Sequence, residues 1–248
     1  MTMNSDPSAA PPSPPPPPKR EPVFNAPALA LLLAASIVGG YWLQSGPHEM
    51  AANYRLGLIP ARLAQGEIMG LFTHMLVHGG WMHAIMNAVG ALTFAAPVAR
   101  LMGGLKGLIG FVSLYIVCGV LAGGGYALLH MDGMTPLVGA SGAVFGLIGA
   151  ATRLLGGGGR VLALTDRRVV SAALAWTGVN VFIGLTGFAP GMQGASIAWE
   201  AHVIGLAAGL ILIGPWARLF GRRPMAPEAP FASEPHMSDP SSRDGPWA

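Results

Sequence analysis

The sequence predicts an all-α membrane protein, built as a bundle of six transmembrane helices. Hydrophobic residues make up 52% of the 248 residues and charged residues only 10%, whereas soluble domains carry about 25% charged residues. The 36 glycines fit the close packing of membrane helices, in which glycine is more frequent than in soluble ones. Six apolar segments separated by more polar connections complete the pattern, so a polytopic membrane domain is expected.

Each of these segments is assigned as one span. The predicted spans are Ala26 to Leu43, Trp81 to Leu101, Leu105 to Leu129, Ser141 to Leu155, Val169 to Leu185 and Ala198 to Leu219. The first could be read as a signal peptide, but its long proline-rich leader and the later spans favour a retained helix. The mixed stretch 44–80 is too polar to span and predicts a partly helical loop at the interface.

The fourth span is short. Its 15 residues reach about 22 Å, against a hydrocarbon core of about 30 Å. If its end lies at the inner surface, its first residue, Ser141, is recessed below the outer one. Irregular backbone at that depth is tolerated only where protein or a water-filled cavity surrounds it. A cavity open to the outer side is therefore expected.

Both ends of the chain are predicted to be disordered tails around a membrane domain of residues 26–220. Residues 1–25 contain the run Pro11 to Pro18, which favours extended polyproline geometry and cannot form a core. Residues 221–248 are rich in proline, serine and charge. A solvated tail is favoured over a segment that binds a proline-recognising partner.

The distribution of positive charge predicts the orientation. Arg55 and Arg62 fall on one side of the predicted bundle, whereas eleven lysines and arginines fall on the side of the N-terminus: Lys19, Arg20, Arg100, Lys106, Arg153, Arg160, Arg167, Arg168, Arg218, Arg222 and Arg223. Because cytoplasmic loops carry the excess of positive charge, both termini are expected to be cytoplasmic and Ser141 to face outward. The net charge of +3 then reflects orientation, and no nucleic-acid partner is predicted.

A serine and a histidine form the candidate reactive pair. Ser141 lies in Gly139-Ala140-Ser141-Gly142 and opens the fourth span, while His202 lies near the start of the sixth. Gly142 and Gly146 on the fourth span, and Gly205 and Gly209 on the sixth, are small-xxx-small pairs, which let helix backbones approach closely. We expect the two helices to touch at Gly142. That crossing would bring the imidazole of His202 within reach of the serine, as an activated nucleophile requires.

The second span offers hydrogen-bond donors for a developing oxyanion. His83 and Asn87 are spaced i, i+4 and share one helix face, and uncharged donors suit such a site. The backbone N–H of Ser141, at a helix start, is a third donor. No acid lies within a span where it could orient His202, and Glu200 is only two residues away and points elsewhere. A serine–histidine dyad is predicted.

Together these motifs resemble the rhomboid family of intramembrane serine proteases, over about Ala26 to Leu219. The matching elements are Phe72-Thr73-His74, His78, His83-x3-Asn87, Gly139-x-Ser141-Gly142 and Ala201-His202-x2-Gly205-x3-Gly209. The resemblance is to the six-span bacterial type, and it implies an integral protein of the inner membrane whose active site opens to the periplasmic side.

The resemblance also implies roles for individual residues. Ser141 would be the nucleophile and His202 the general base, while His83, Asn87 and the Ser141 amide would bind the oxyanion. His78 would support the water-filled cavity, and Phe145, a tyrosine in many relatives, would pack against the histidine. Single-span membrane proteins are the implied substrates, cut near the outer interface at small residues. Membrane lipid is the implied surrounding, and no cofactor or metal is implied; the oligomeric state is left open.

Two further features follow from the same resemblance. The loop from Thr186 to Ser196, with the fifth span, is implied as cap and lateral gate. Many relatives carry Trp-Arg in the first loop where this chain has Met69-Gly70, and a glutamate at the inner end of the second span where it has Ala99-Arg100.

Other interpretations stand beside this one. Ser141 by itself is also a typical helix N-cap, and Cys118 fits a buried structural thiol. A catalytically inactive relative that binds transmembrane clients would carry much of the same pattern. His74 and His78, spaced i, i+4, could also be the first half of a zinc motif, although no Glu follows His74 directly and no third ligand is evident. A metal-binding transporter that uses His74, His78 and His83 is a separate alternative.

Overall fold

The computed structural model describes residues 26–156, 159–187 and 197–222, and these ranges are helical and connected by turns and loops. Residues 1–25, most of the predicted C-terminal tail and positions 188–196 of the predicted cap loop lie outside the described ranges. The α-helices are α1 (Ala28–Gln44), α2 (Glu49–Leu56), α3 (Pro60–Ala64), α4 (Gly70–Thr73), α5 (Trp81–Leu101), α6 (Gly104–Leu129), α7 (Ser141–Thr152), α8 (Arg167–Thr186) and α9 (Trp199–Phe220).

Four of these helices, α5, α6, α8 and α9, are long and apolar enough to cross a membrane. Two more, α1 with 17 residues and α7 with 12 residues, are apolar but shorter. The prediction of an all-helical membrane protein is confirmed, whereas a total of six crossings stays a prediction. The predicted fourth span ends earlier than expected, because the chain turns after Thr152.

Helix α7 is the centre of the bundle. Ten of its 12 residues are buried, because it packs against α5, α6 and α9. Its three glycines let those neighbours approach: a Cβ on Gly149, for example, would lie 2.9 Å from the backbone nitrogen of Leu210. Helix α1 packs against α5. Helix α8 lies at the edge of the bundle, and only 11% of its apolar stretch is buried.

Helices α7 and α9 run in the same direction and touch through their backbones. A Cβ added to Gly205 or Gly209 would meet the carbonyl oxygen of Gly142 or Gly146, respectively. The glycine pairs therefore lie at the crossing, as small-xxx-small pairs do. The expected role of Gly142 is corrected in one respect. Its carbonyl faces α9, but its bare Cα faces α6, where an added Cβ would lie 2.6 Å from Cβ of Ala122.

Both ends of helix α7 stop short of the ends of the neighbouring helices. Its start contacts Ala122, and α6 continues seven residues farther to Leu129, which is about 10 Å at 1.5 Å per residue. Its other end is held by Arg153, whose Nη1 donates to the carbonyl of Leu210 at 2.8 Å. Helix α9 continues ten residues beyond that point, about 15 Å. Ser141 consequently lies well inside one end of the bundle.

The chain before Ser141 is held by the first loop. Leu58 and Leu137 exchange two backbone hydrogen bonds, of 2.9 and 2.8 Å. Three short α-helices and one 3₁₀ turn lie within the loop, in agreement with its predicted partly helical character. The irregular backbone ahead of α7 thus obtains hydrogen bonds from protein, as such backbone would require if it lay at membrane depth.

Candidate active site

Ser141 is the first residue of α7, and its hydroxyl meets a histidine from another helix. Its Oγ lies 2.8 Å from Nε2 of His202, the fourth residue of α9. The N-cap position of α7 is occupied by Ala140, and no side chain caps this helix. The alternative explanation of Ser141 as an N-cap is therefore wrong, and its hydroxyl is bound to an imidazole instead.

Two side chains fix the ring of His202. The ring of Phe145, one turn after Ser141, stacks on it with centroids 4.4 Å apart and planes inclined by 7°. On the other edge, Nδ1 of His202 lies 2.8 Å from Oδ1 of Asn180 on α8. The imidazole is thus held in its plane by Phe145 and along its edge by Asn180.

Asn180 is the site residue that sequence reasoning missed. It is only 5% exposed, and a signal for it was present, because a polar side chain within an apolar span is costly and usually has a function. A dyad was predicted because no acid lies within a span where it could orient His202. Glu200, the acid nearest in sequence, lies with Oε1 3.2 Å from Nε2 of His130, so it faces away from His202 as expected.

His83 on α5 lies against the backbone just before Ser141. Its Nδ1 accepts a long 3.5 Å hydrogen bond from the N–H of Gly79, which assigns the proton to Nε2 and makes that atom a donor. Gly139 makes the approach feasible, because its φ is 115° and a Cβ there would lie 2.6 Å from Nε2 of His83. Glycine is therefore needed at position 139 for two separate reasons.

Asn87 lies one turn further along the same face of α5 and is 5% exposed. Its Nδ2 donates to the carbonyl of His83 at 2.9 Å. An amide nitrogen carries two hydrogens, so this bond orients the side chain and leaves a second N–H for another acceptor.

His78 holds the loop in front of the serine. Its Nε2 accepts a 3.4 Å hydrogen bond from the backbone N–H of Ala140, and burial lowers its pKa to about 3, so the ring is neutral at pH 7. The ring is 1% exposed, and Nδ1 is its buried atom without a hydrogen-bond partner within the described part of the chain.

His74 serves a different part of the structure. Its Nδ1 donates to the carbonyl of Gly70 at 2.9 Å, and its ring packs on Gly123 of α6, where an added Cβ would lie 2.9 Å from Cε1. His74 and His78 thus contact different neighbours despite their i, i+4 spacing. Over the described ranges, no group of three His, Cys, Asp or Glu residues is arranged to hold a metal ion.

A family model described as the Rhomboid domain matches residues 65–218 of this chain. The chain belongs to the rhomboid family. Among its relatives is YdcA of Bacillus subtilis (strain 168), whose name places it with the rhomboid proteases; it is 27% identical over 165 residues, covering 66% of this chain and 72% of YdcA. Rhomboid protease GluP of the same strain is also 27% identical over 165 residues, covering 65% of this chain and 29% of GluP. The match thus spans less than a third of GluP. Family and apolar helices together make this chain an integral membrane protein.

The first loop of this rhomboid is anchored without the Trp-Arg pair of many relatives. Gly70 packs directly on the loop backbone, since a Cβ there would lie 2.9 Å from Cα of Leu58. The side chain of Gln44 brackets His78, with Nε2 donating to its carbonyl at 2.8 Å and Oε1 accepting from its N–H at 2.9 Å. These bonds tie the end of α1 to the loop that carries His78.

Proposed function

We propose that this rhomboid is an intramembrane serine endopeptidase that cleaves transmembrane protein substrates with a Ser141–His202 dyad. The observation that carries the proposal is the 2.8 Å contact between Oγ of Ser141 and Nε2 of His202. A base within hydrogen-bond reach is what turns a weakly nucleophilic hydroxyl into an attacking group. The names of YdcA and GluP as rhomboid proteases support the same reaction class.

The reaction proceeds by acyl transfer. Nε2 of His202 removes the hydroxyl proton as Oγ of Ser141 attacks the scissile carbonyl carbon, and the carbonyl oxygen becomes an oxyanion. Collapse of this intermediate breaks the C–N bond, and the histidine returns its proton to the leaving amine. Water, deprotonated by the same nitrogen, then attacks the acyl-enzyme and releases the second product and the free serine.

Three donors are proposed for the oxyanion: Nε2–H of His83, the second amide N–H of Asn87 and the backbone N–H of Ser141. The N–H of the preceding residue, Ala140, already donates to His78, which leaves the serine amide as the next donor at the start of α7. Such donors already point at the position of the oxyanion, so they need not reorient as the negative charge develops. Removal of one such donor lowers kcat by a factor of about 10²–10³.

In the proposed membrane arrangement, six helices cross and α7 is the short, recessed one. Helix α1 is about 25 Å long at 17 residues, near the thickness of the hydrocarbon core. The domain comprises residues 26–220 with tails on either side. Because positively charged residues cluster where α5, α7 and α9 end, that end is assigned to the cytoplasm with both termini, and the serine to the periplasmic side of an inner membrane.

Substrates are proposed to reach the site between helices, from the surrounding lipid. Helix α8 is the least buried of the four long apolar helices: 11% of its apolar stretch is buried, against 28% or more in the others. It is therefore the helix that moves at the smallest cost in packing, and it serves as the lateral gate. A single-span protein that enters there, cut at small residues near the outer interface, is the proposed substrate.

The test is cleavage of a model single-span substrate by purified protein in liposomes. Wild type is expected to cleave it and to be labelled at Ser141 by a mechanism-based serine probe, whereas Ser141→Ala does neither. Cleavage retained by Ser141→Ala would refute the dyad. Absence of both cleavage and labelling in the wild type would favour the catalytically inactive, client-binding alternative.

A further inference from the structure

We propose that Asn180 is a positioning residue that extends the dyad into a Ser141–His202–Asn180 chain of hydrogen bonds and fixes the tautomer of His202. This inference rests on the proposed function. It goes beyond it by assigning a task to a side chain of α8, a helix that otherwise contributes the gate. Two distances carry it: 2.8 Å from Oγ of Ser141 to Nε2 of His202, and 2.8 Å from Nδ1 of His202 to Oδ1 of Asn180.

The orientation of the Asn180 amide follows from its second contact. One amide atom lies 2.8 Å from the backbone carbonyl of Trp199. Because a carbonyl oxygen only accepts hydrogen bonds, that amide atom is the nitrogen, Nδ2. The atom that faces His202 is therefore the oxygen, Oδ1, which only accepts. An amide flip would set two oxygens against each other at Trp199.

The orientation of the amide then determines the tautomer of the imidazole. Because Oδ1 of Asn180 accepts, Nδ1 of His202 carries the proton and donates it. Its Nε2 is left with a lone pair, which accepts the hydroxyl proton of Ser141. The alternative tautomer would place an N–H against the serine and a lone pair against Oδ1, and it could not act as the base.

The same hydrogen bond becomes stronger during the reaction. Once the histidine has taken the serine proton it is a cation, and a hydrogen bond from a cation is about twice as strong as a neutral one. The interaction is therefore larger in the transition state than in the ground state, which is the condition for raising kcat. Asn180 is also buried and its amide cannot ionise, so it stabilises this cation without adding a second charge at membrane depth.

A purely structural role for Asn180, tying α8 to α9 through Trp199, is the competing explanation. It accounts for Nδ2, but it gives no reason for the Oδ1 contact with His202. The experiment must therefore read out the imidazole itself as well as the stability of the fold.

The variants are Asn180→Leu, which keeps the branched shape and the number of side-chain heavy atoms but removes the acceptor, and Asn180→Asp, which retains an acceptor in either protonation state. Val179→Leu, a neighbouring change at a residue that is 55% exposed, is the matched control. Each is purified in detergent, checked by its melting temperature, and assayed with a single-span substrate in liposomes to give kcat and KM. Val179→Leu is expected to have the kcat, KM and melting temperature of the wild type.

Asn180→Leu is expected to lower kcat about 10- to 100-fold with KM changed by less than about 2-fold, and Asn180→Asp to recover most of the loss. Histidine labelled with ¹⁵N in both ring positions supplies the spectroscopic readout, with the His202 signals assigned by their loss in His202→Ala. In wild type, Nδ1 is expected to be protonated and Nε2 bare, and in Asn180→Leu this preference is expected to disappear.

The proposal is overturned if Asn180→Leu keeps kcat within about 3-fold of wild type, or if wild-type His202 carries its proton on Nε2. If Asn180→Leu does not fold, the tautomer measured in the wild type decides the question. Failure of the proposed function looks different: either the wild type does not cleave, or cleavage survives Ser141→Ala. A wild type that cleaves with Ser141 but tolerates Asn180→Leu refutes this inference alone.

Discussion

Substitution of Gly205 by alanine tests the close crossing of α7 and α9. The added methyl would meet the carbonyl oxygen of Gly142, with the carbonyl carbon 3.0 Å and the Cα 3.4 Å away. These are backbone atoms of a buried helix, so a rotamer change cannot relieve the contact and the two helices must separate. Overpacking of this kind costs about 1–3 kcal/mol.

The separation acts directly on the proposed dyad. His202 lies three residues before Gly205 on α9, and Ser141 precedes Gly142 on α7, so a shift at the crossing lengthens the 2.8 Å bond between Oγ and Nε2. A displacement of about 1 Å at a catalytic contact costs about 100-fold in rate. Gly205→Ala is therefore expected to reduce kcat by about two orders of magnitude and to slow labelling of Ser141 by the serine probe.

Gly178→Ala on α8 is the matched control, because a Cβ there meets no atom within 4 Å. Alanine is favoured over glycine within a helix by about 0.5–1 kcal/mol, so this variant should be fully active and slightly more stable. The assay is kcat on a single-span substrate in liposomes, with melting temperatures in detergent measured in parallel. Gly205→Ala activity within about 2-fold of Gly178→Ala would refute the reasoning.

Two further predictions concern the loop that precedes the serine. Gly139→Ala places a Cβ against Nε2 of His83 at a φ of 115° and is expected to lower kcat about 100-fold. The control is Gly66→Ala, which has a φ of 95° and open space around it, so it carries the backbone strain alone and should stay active. Equal losses of kcat in both variants would contradict the contact with His83. Burial lowers the pKa of His78 to about 3, so between about pH 6.5 and 3 only the unfolded chain takes up this proton and stability falls as the pH drops; going from pH 7.5 to 5 should cost about 2 kcal/mol. His78→Gln should show a smaller difference between the melting temperatures at the two pH values, and an unchanged difference would count against a neutral buried His78.

Much of the fold was predictable because membrane helices are specified by local properties. Length and apolar composition placed α5, α6, α8 and α9 within a few residues of their observed bounds. The contact between Ser141 and His202 was within reach of the sequence because glycine pairs four residues apart mark where two backbones meet. The distribution of arginines and lysines supports an orientation on the same local basis.

What the sequence left open depends on how the helices are rotated against one another. Asn180 was visible as a polar residue in an apolar span, but only the position of α8 aims its Oδ1 at His202. The bare Cα of Gly142 was assigned to the crossing with α9, and the structure turns it to Ala122 of α6.

The length of the hydrophobic segments, the glycine spacing and the motif residues are properties of the sequence itself. They were sufficient to indicate the family and the candidate pair, Ser141 and His202. The tertiary structure decided which partner each buried polar atom obtains: Asn180 for Nδ1 of His202, the Ala140 amide for His78, and Gly79 for His83. The physical reason is that a hydrogen bond between helices is set by a few ångströms of packing and rotation. Those are properties of the assembled bundle rather than of any one segment.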